Sequence, residues 1–221
     1  MKKVLLLIIS LINLINLSSC KNIDLYKDIV DKVVEITLES NTNKYYATGT
    51  IISNDGLILT NKHVIDNKDE DTQISISFIN DNNDYKATIF DVSNDYDLCL
   101  LKIDKKTSHF NKISTYISIG DKVYTIGNSN GYGLSYLDGI ITSEYKNIIY
   151  NDTNILSIQT NIEIYDGSSG GPLYNTKGEL LGIMTFRVKD NGMYVPGMSF
   201  ALPSKCINEY LGRLNLWKRN Y

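Results

Sequence analysis

Past residue 23 the chain alternates apolar and polar positions in short runs separated by Asn- and Asp-rich turns. Alternation with a period of two marks strands buried on one face. Such runs cover Val33 to Leu38, Tyr45 to Ile52, Leu57 to Thr60, Gln73 to Ile79, Tyr85 to Val92 and Leu98 to Ile103. Asn54-Asp55-Gly56 reads as a tight turn between the second and third. The polar stretch Asp104 to Ser118 reads as a linker. Further strands are predicted at Lys122 to Ile126, Leu137 to Tyr145, Ile155 to Gln159, Gly171 to Tyr174, Glu179 to Val188 and Gly197 to Leu202. Leu25, Ile29 and Val30 have helical spacing, so a short helix is expected over Asp24 to Lys32. Ser204 is a candidate N-cap for a closing helix over Lys205 to Leu214. The first six strands suit one small antiparallel barrel.

The N-terminus follows another pattern. Met1-Lys2-Lys3 is basic, and Val4 to Leu17 is an apolar run, broken by Asn13 and Asn16, that is too short for a bilayer span of about 20 residues. It reads as a secretory signal peptide. The run ends in Leu17-Ser18-Ser19-Cys20, which resembles the bacterial lipoprotein cleavage box. The expectation is removal of residues 1–19, lipidation of Cys20 and attachment to a membrane of the bacterial cell envelope, on the periplasmic or cell-surface side.

Composition narrows the classes. Of 221 residues, 43% are hydrophobic, and the net charge is −3 with no basic run, which argues against nucleic acid as a partner. Cys99 lies in an apolar strand and Cys206 in the C-terminal segment. An exported protein could pair them, but two buried thiols are the favoured reading. Neither cysteine has metal-ligand spacing, His-Glu-x-x-His is absent, and Gly127, Gly131 and Gly133 lack dinucleotide spacing, so neither a metal nor a cofactor is implied.

Candidate chemistry lies in Gly-Ser-Ser-Gly-Gly-Pro, Gly167 to Pro172. Glycine permits the tight turn on which a serine hydroxyl can be presented beside free backbone N–H groups. Upstream, His63 follows the third strand and Asp97 precedes the sixth. His63, Asp97 and Ser169 stand in the chain order of a chymotrypsin-type triad. Alternation would place Asp95 on the same strand face as Asp97, and Ser168 adjoins Ser169, so pattern alone leaves both rivals open. His109 is expected to be a solvated linker residue.

Five stretches resemble the trypsin/chymotrypsin clan, and most closely the HtrA (DegP-like) protease domain. They are LTNKHVI around His63, DLCLLKI from Asp97, GDKVYTIGNSNGYG from Gly120, SIQTNIEIYDGSSGGPLYNTKGELLGI from Ser157, and GMSFALP from Gly197. The resemblance implies an all-β fold of two antiparallel six-stranded barrels, with the active site in the cleft between them and short helices at both ends. Residues 20–112 would form the N-terminal barrel, and 113–221 the C-terminal barrel with its closing helix. No PDZ-like segment is expected after it. The resemblance selects Asp97, directly before Leu-Cys-Leu-Leu, and Ser169, directly before Gly-Gly. It places the oxyanion hole at the N–H groups of Gly167 and Ser169. Ser168 stands where zymogen-activated members carry an aspartate, so activation by an N-terminal ion pair is not expected. The implied function is a serine endopeptidase acting on exported or unfolded polypeptides through an acyl-enzyme. The competing class is a catalytically silent surface lipoprotein that holds a peptide or host ligand in the cleft.

Substrate preference hinges on three residues. Glu163 lies six positions before Ser169, where trypsin-like members place the acidic base of the P1 pocket. Alternation between Ile162 and Ile164 favours a solvent-facing Glu163. Met198 and Phe200 suggest an otherwise apolar pocket. An aliphatic P1 residue is therefore expected.

Overall fold

The computed structural model describes residues 25–66, 68–108, 112–150 and 153–216. The signal segment, Cys20 and His109 lie outside the described residues. A helix, α1, covers 25–30. The first barrel holds β1 (Val33–Glu39), β2 (Lys44–Ile51), β3 (Leu57–Thr60), β4 (Gln73–Ser77), β5 (Asp84–Val92) and β6 (Cys99–Ile103), with the short α2 (His63–Asp66) after β3. The second holds β7 (Lys122–Asn128), β8 (Leu134–Tyr150), β9 (Thr153–Thr160), β10 (Pro172–Asn175), β11 (Leu180–Asp190) and β12 (Met193–Pro203), and α3 (Ser204–Arg213) follows.

Both sheets close. The first runs β1-β2-β3-β6-β5-β4 and returns to β1 through the Ile36–Ile76 register. The second runs β10-β11-β12-β9-β8-β7 and returns through Leu173–Thr125. Closure removes the sheet edges that would otherwise invite pairing with other chains. The expected two-barrel all-β architecture with short helices is what forms.

Alternation sorts the side chains into three cores. Val34, Ile36, Ile58, Ile76 and Leu101 fill the first barrel. Val123, Ile141, Ile158, Leu173 and Met184 fill the second. The third lies between them, where Leu57, Leu59, Leu98 and Leu100 meet Tyr124, Ile126, Tyr174 and Ile183. Both end helices join it, α1 through Ile29 and α3 through Ile207, Tyr210 and Leu211. The helices are thus clamps across the barrel junction.

Two local expectations are corrected. Ser204 is the first residue of α3 and not its N-cap. Pro203 holds the cap position, and the Ser204 hydroxyl donates instead to the Ser114 carbonyl at 2.7 Å. Asp95 and Asp97 do not share a strand face, because β6 begins only at Cys99. The Ser93 hydroxyl accepts the Asp95 and Tyr96 N–H groups and folds 94–97 into a bend.

Cys99 and Cys206 are free and buried. Burial pushes the Cys99 thiol up to about 12 and the Cys206 thiol up to about 11. An unfolded thiol ionises near 8.5. Both thiols therefore favour the folded state fully below about pH 8.5, and that contribution is lost as pH rises toward the folded values. Urea midpoints should fall between pH 8.5 and 11, with a shallower fall in Cys99→Ala/Cys206→Ala.

Polar contacts between the barrels concentrate on Thr48 of β2, which is fully buried. Its hydroxyl donates to the Gly167 carbonyl at 2.7 Å and accepts the Asn128 N–H at 2.9 Å. Its own N–H donates to the Ser169 carbonyl at 2.9 Å. Thr48→Val keeps the shape and leaves both hydroxyl partners unmet, so a loss of about 2 kcal/mol is expected. Urea denaturation measures it, with Thr88→Val on β5 as the control that should change little.

Candidate active site

The Gly167–Pro172 loop, which carries the candidate nucleophile, is pressed against backbone on both sides, which is why it is rich in glycine. A Cβ on Gly170 would lie 2.0 Å from the Thr48 carbonyl oxygen, and one on Gly167 would lie 2.2 Å from that of Asn128. Both residues also have left-handed φ, +89° and +94°. The Thr50 hydroxyl holds the Gly170 carbonyl at 3.0 Å.

This anchoring orients two N–H groups. A trans peptide points its C=O and N–H in opposite directions. The Asp166 carbonyl is turned onto the Asn130 N–H at 2.6 Å and the Ser168 carbonyl onto the Gly171 N–H at 3.1 Å. The N–H groups sharing those peptides belong to Gly167 and Ser169. Among the described residues neither donates to a protein acceptor. Both residues line a cleft that His63 also lines, with a volume near 340 Å³.

Ser169 and Ser168 part company here. Ser169 is half-buried at the cleft, and its hydroxyl donates to the Thr185 carbonyl at 3.3 Å. Ser168 is buried, accepts the Tyr165 N–H at 3.3 Å and lies 3.3 Å from the Ser129 hydroxyl. It faces inward and is satisfied there.

The two aspartates also separate. Asp97 grips His63 twice, through Oδ1 to the backbone N–H at 2.9 Å and through Oδ2 to Nδ1 at 2.7 Å. Nδ1 thus carries the proton donated to the carboxylate, which leaves Nε2 as the acceptor in the neutral ring. The start of α2 places the His63 backbone and ring against the same carboxylate. Asn61 steadies the bend by donating to the Asp97 carbonyl at 3.0 Å and the Thr185 hydroxyl at 3.2 Å. Asp95 instead pairs with Arg213 of α3 at the surface.

At the other predicted positions, Ile162 and Ile164 are buried, as alternation requires. Glu163 between them is half-exposed and bound to a buried arginine, Arg187, at 2.5 Å. Phe200 is fully buried and stacked on Phe186, 5.0 Å between ring centres, so it belongs to the packing beneath the site. Met198 is half-buried on β12. Sequence reasoning missed Thr48, Asn61, Thr185 and Arg187. The threonines and the asparagine carry no motif signal. Arg187 does, as the one charged residue within the apolar run Leu180 to Val188. Among the described residues, no group of three or more His, Cys, Asp or Glu side chains could hold a metal.

A profile for the Trypsin-like peptidase domain matches residues 47–183. A probable periplasmic serine endoprotease, DegP-like, from Pseudomonas savastanoi is 37% identical over 158 residues, 71% of this chain and 32% of that protein. Serine endoprotease DegS of Haemophilus influenzae is 35% identical over 171 residues, 76% of this chain and 49% of that one. The chain thus spans between about a third and a half of these relatives' length. The crystal structure of a serine endoprotease from Yersinia pestis superposes with a TM-score of 0.71 at 31% identity, covering 86% of this chain and 65% of the other. The HtrA-type protease AlgW with a tripeptide gives 0.76 at 28% identity, covering 85% and 61%. With the profile spanning strands of both barrels and the nucleophile loop between them, the chain belongs to the trypsin-like peptidase family.

Proposed function

We propose that the protein is a serine endopeptidase that hydrolyses polypeptides of the bacterial envelope through His63, Asp97 and Ser169. The observation that carries this reading is the convergence on one cleft of an oriented imidazole, a serine hydroxyl and two undonated backbone N–H groups. A peptide-holding protein has no need of all of them together.

Rotation about χ1 would release the Ser169 hydroxyl from the Thr185 carbonyl and turn it toward His63, which lines the same cleft. Nε2 takes the proton as Oγ attacks the scissile carbonyl. Asp97 holds the Nδ1–H and stabilises the imidazolium. The Gly167 and Ser169 N–H groups receive the oxyanion, each such donor contributing on the order of 10²–10³ in turnover. His63 then protonates the leaving amine. It next deprotonates a water, which hydrolyses the acyl-enzyme and restores Ser169. Envelope residence and polypeptide substrates are supported by the DegP-like relatives, which are described as probable periplasmic serine endoproteases.

A fluorophosphonate probe should label the wild type and Ser168→Ala but not Ser169→Ala, with all three folded. A wild type that stays unlabelled would instead favour the silent ligand-binding reading. Asp97→Asn is expected to lower turnover by about 10⁴, because an asparagine amide at this place in a triad imposes the wrong imidazole tautomer. Asp95→Asn breaks only an exposed pair and should leave turnover within about twofold.

The N-terminal pattern supports anchoring through lipidated Cys20. One acyl chain holds a protein only marginally, so a stable anchor needs several. Cys20→Ser should move the protein to the soluble fraction or block its processing. Unchanged membrane fractionation with normal processing would remove the lipid anchor from this reading.

A further inference from the structure

The ion pair beside the nucleophile loop carries a more specific conclusion, which rests on the serine-endopeptidase reading and names the substrate that site selects. Glu163 stands where trypsin-like members keep the acidic base of the P1 pocket. Its carboxylate is already occupied. Arg187 Nη2 donates to Oε2 at 2.5 Å, and the Gly197 N–H donates to Oε1 at 2.8 Å. Arg187 Nη1 donates to the Ile164 carbonyl at 2.7 Å. The guanidinium carbon lies 4.4 Å from the ring centre of Tyr194 and 5.2 Å from that of Tyr165.

These contacts join three segments: the approach to the nucleophile at 163–165, β11 at Arg187, and β12 at Gly197. On the same strand and two residues earlier, the Thr185 carbonyl accepts the Ser169 hydroxyl. The strand that carries the arginine therefore also contacts the candidate serine. The arginine side chain is 5% exposed, against 42% for Glu163. Its Nε is buried with no acceptor among the described residues. An arginine serving only as surface polarity would keep its head in water. This one accepts desolvation and an unmet donor in order to meet Glu163.

We infer that Arg187 is a built-in occupant of the P1 pocket, standing on Glu163 where the lysine or arginine side chain of a substrate would stand. The pocket is thereby shortened, and the acidic base is neutralised. A basic P1 side chain would bring a second cation to a carboxylate that is already paired, next to a guanidinium that is itself buried. Small uncharged side chains remain. The specificity of the enzyme is set by Arg187 as much as by Glu163, and a site of the trypsin type lies latent beneath it.

The test uses the full chain, with p-aminobenzamidine fluorescence and a P1 substrate library. The wild type should cleave after small uncharged residues, reject lysine and arginine, and leave p-aminobenzamidine unbound. Arg187→Ala should bind p-aminobenzamidine and raise kcat/KM after lysine or arginine by about tenfold or more. Arg187→Ala/Glu163→Gln should lose both gains, because the second substitution removes the exposed carboxylate. Arg187→Lys should gain neither, since its ammonium can replace the guanidinium on Glu163. If Arg187→Ala does not fold, Arg187→Thr, whose branched stem suits a strand, takes the same measurements. Fluorophosphonate labelling separates the two levels of argument. An unlabelled wild type overturns the serine-endopeptidase reading. A folded, labelled Arg187→Ala or Arg187→Thr that neither binds p-aminobenzamidine nor cleaves after basic residues overturns the pocket assignment alone. So does a wild type that already does either.

Discussion

The molecule depends on the way β2 holds the nucleophile loop. Ser169 belongs to the second barrel, whereas His63 and Asp97 belong to the first. On the proposed function, a displacement of one barrel by about 1 Å would part them, since catalytic geometry tolerates little more than half of that. The apolar core between the barrels supplies adhesion but little directional constraint, because hydrophobic burial is non-directional. Direction comes from Thr48 and Thr50. They bind the carbonyls of Gly167, Ser169 and Gly170 from the opposite barrel. Asn128 adds a second crossing, its side-chain amide donating to Glu35 of β1 at 2.6 Å. Burial, with Asp84 nearby, raises the Glu35 pKa, so this acceptor holds its charge against a cost.

The same contacts explain the glycines. A turn alone needs glycine for its positive φ, and Gly167 and Gly170 meet that need. Gly171 has no such φ. A Cβ there would lie 2.6 Å from the Ile126 carbonyl oxygen and 3.0 Å from that of Ser168. Close approach, and not conformation, excludes a side chain at that position. The loop thus meets both barrels without spacing side chains, and its carbonyls are consumed in doing so. That leaves the N–H groups of Gly167 and Ser169, which meet no acceptor among the described residues, as its free polar edge.

Most of the fold was legible because short apolar runs separated by Asn- and Asp-rich turns mark the strands, even where, as in β3 and β7, both faces are buried. Leu57–Thr60 matches to the residue, and most other boundaries shift by one or two. The larger miss is β8, which runs to 17 residues against a shorter expectation. Its register with β9 shifts at two places, between Ile141 and Ser143 and between Ser143 and Lys146. A bulge inserts a residue and breaks the alternation by which a strand is recognised. The candidate site was legible through motif and chain order, yet hydrophobic pattern alone left Asp95 and Asp97 open, and only the resemblance selected Asp97. The Ser93 side chain folds that segment into a bend, and a side-chain-capped bend leaves no trace in hydrophobic periodicity. Glu163 was read correctly as flanked by inward isoleucines. Its partner, Arg187, lies in a different strand, and such a distance in sequence becomes contact only once β11 and β12 have formed.

Where the charges sit follows from the same division of roles. The exposed pairs, Lys44 with Glu39 and Arg213 with Asp95, lie at the surface, where solvent screens them and each contributes little. The barrel junction is held chiefly by neutral hydroxyls and amides, with the part-buried Glu35 carboxylate as a charged acceptor. Two further charge pairs involve candidate site residues, and they differ in kind. His63 with Asp97 is partly solvated. Arg187 with Glu163 is buried at its cationic end and held by a carbonyl and two aromatic rings, which suits a fixed element. On the proposal above, a pair fixed in this way shapes the substrate pocket through its contacts. Arginine serves that purpose better than lysine, because its guanidinium stays charged when buried.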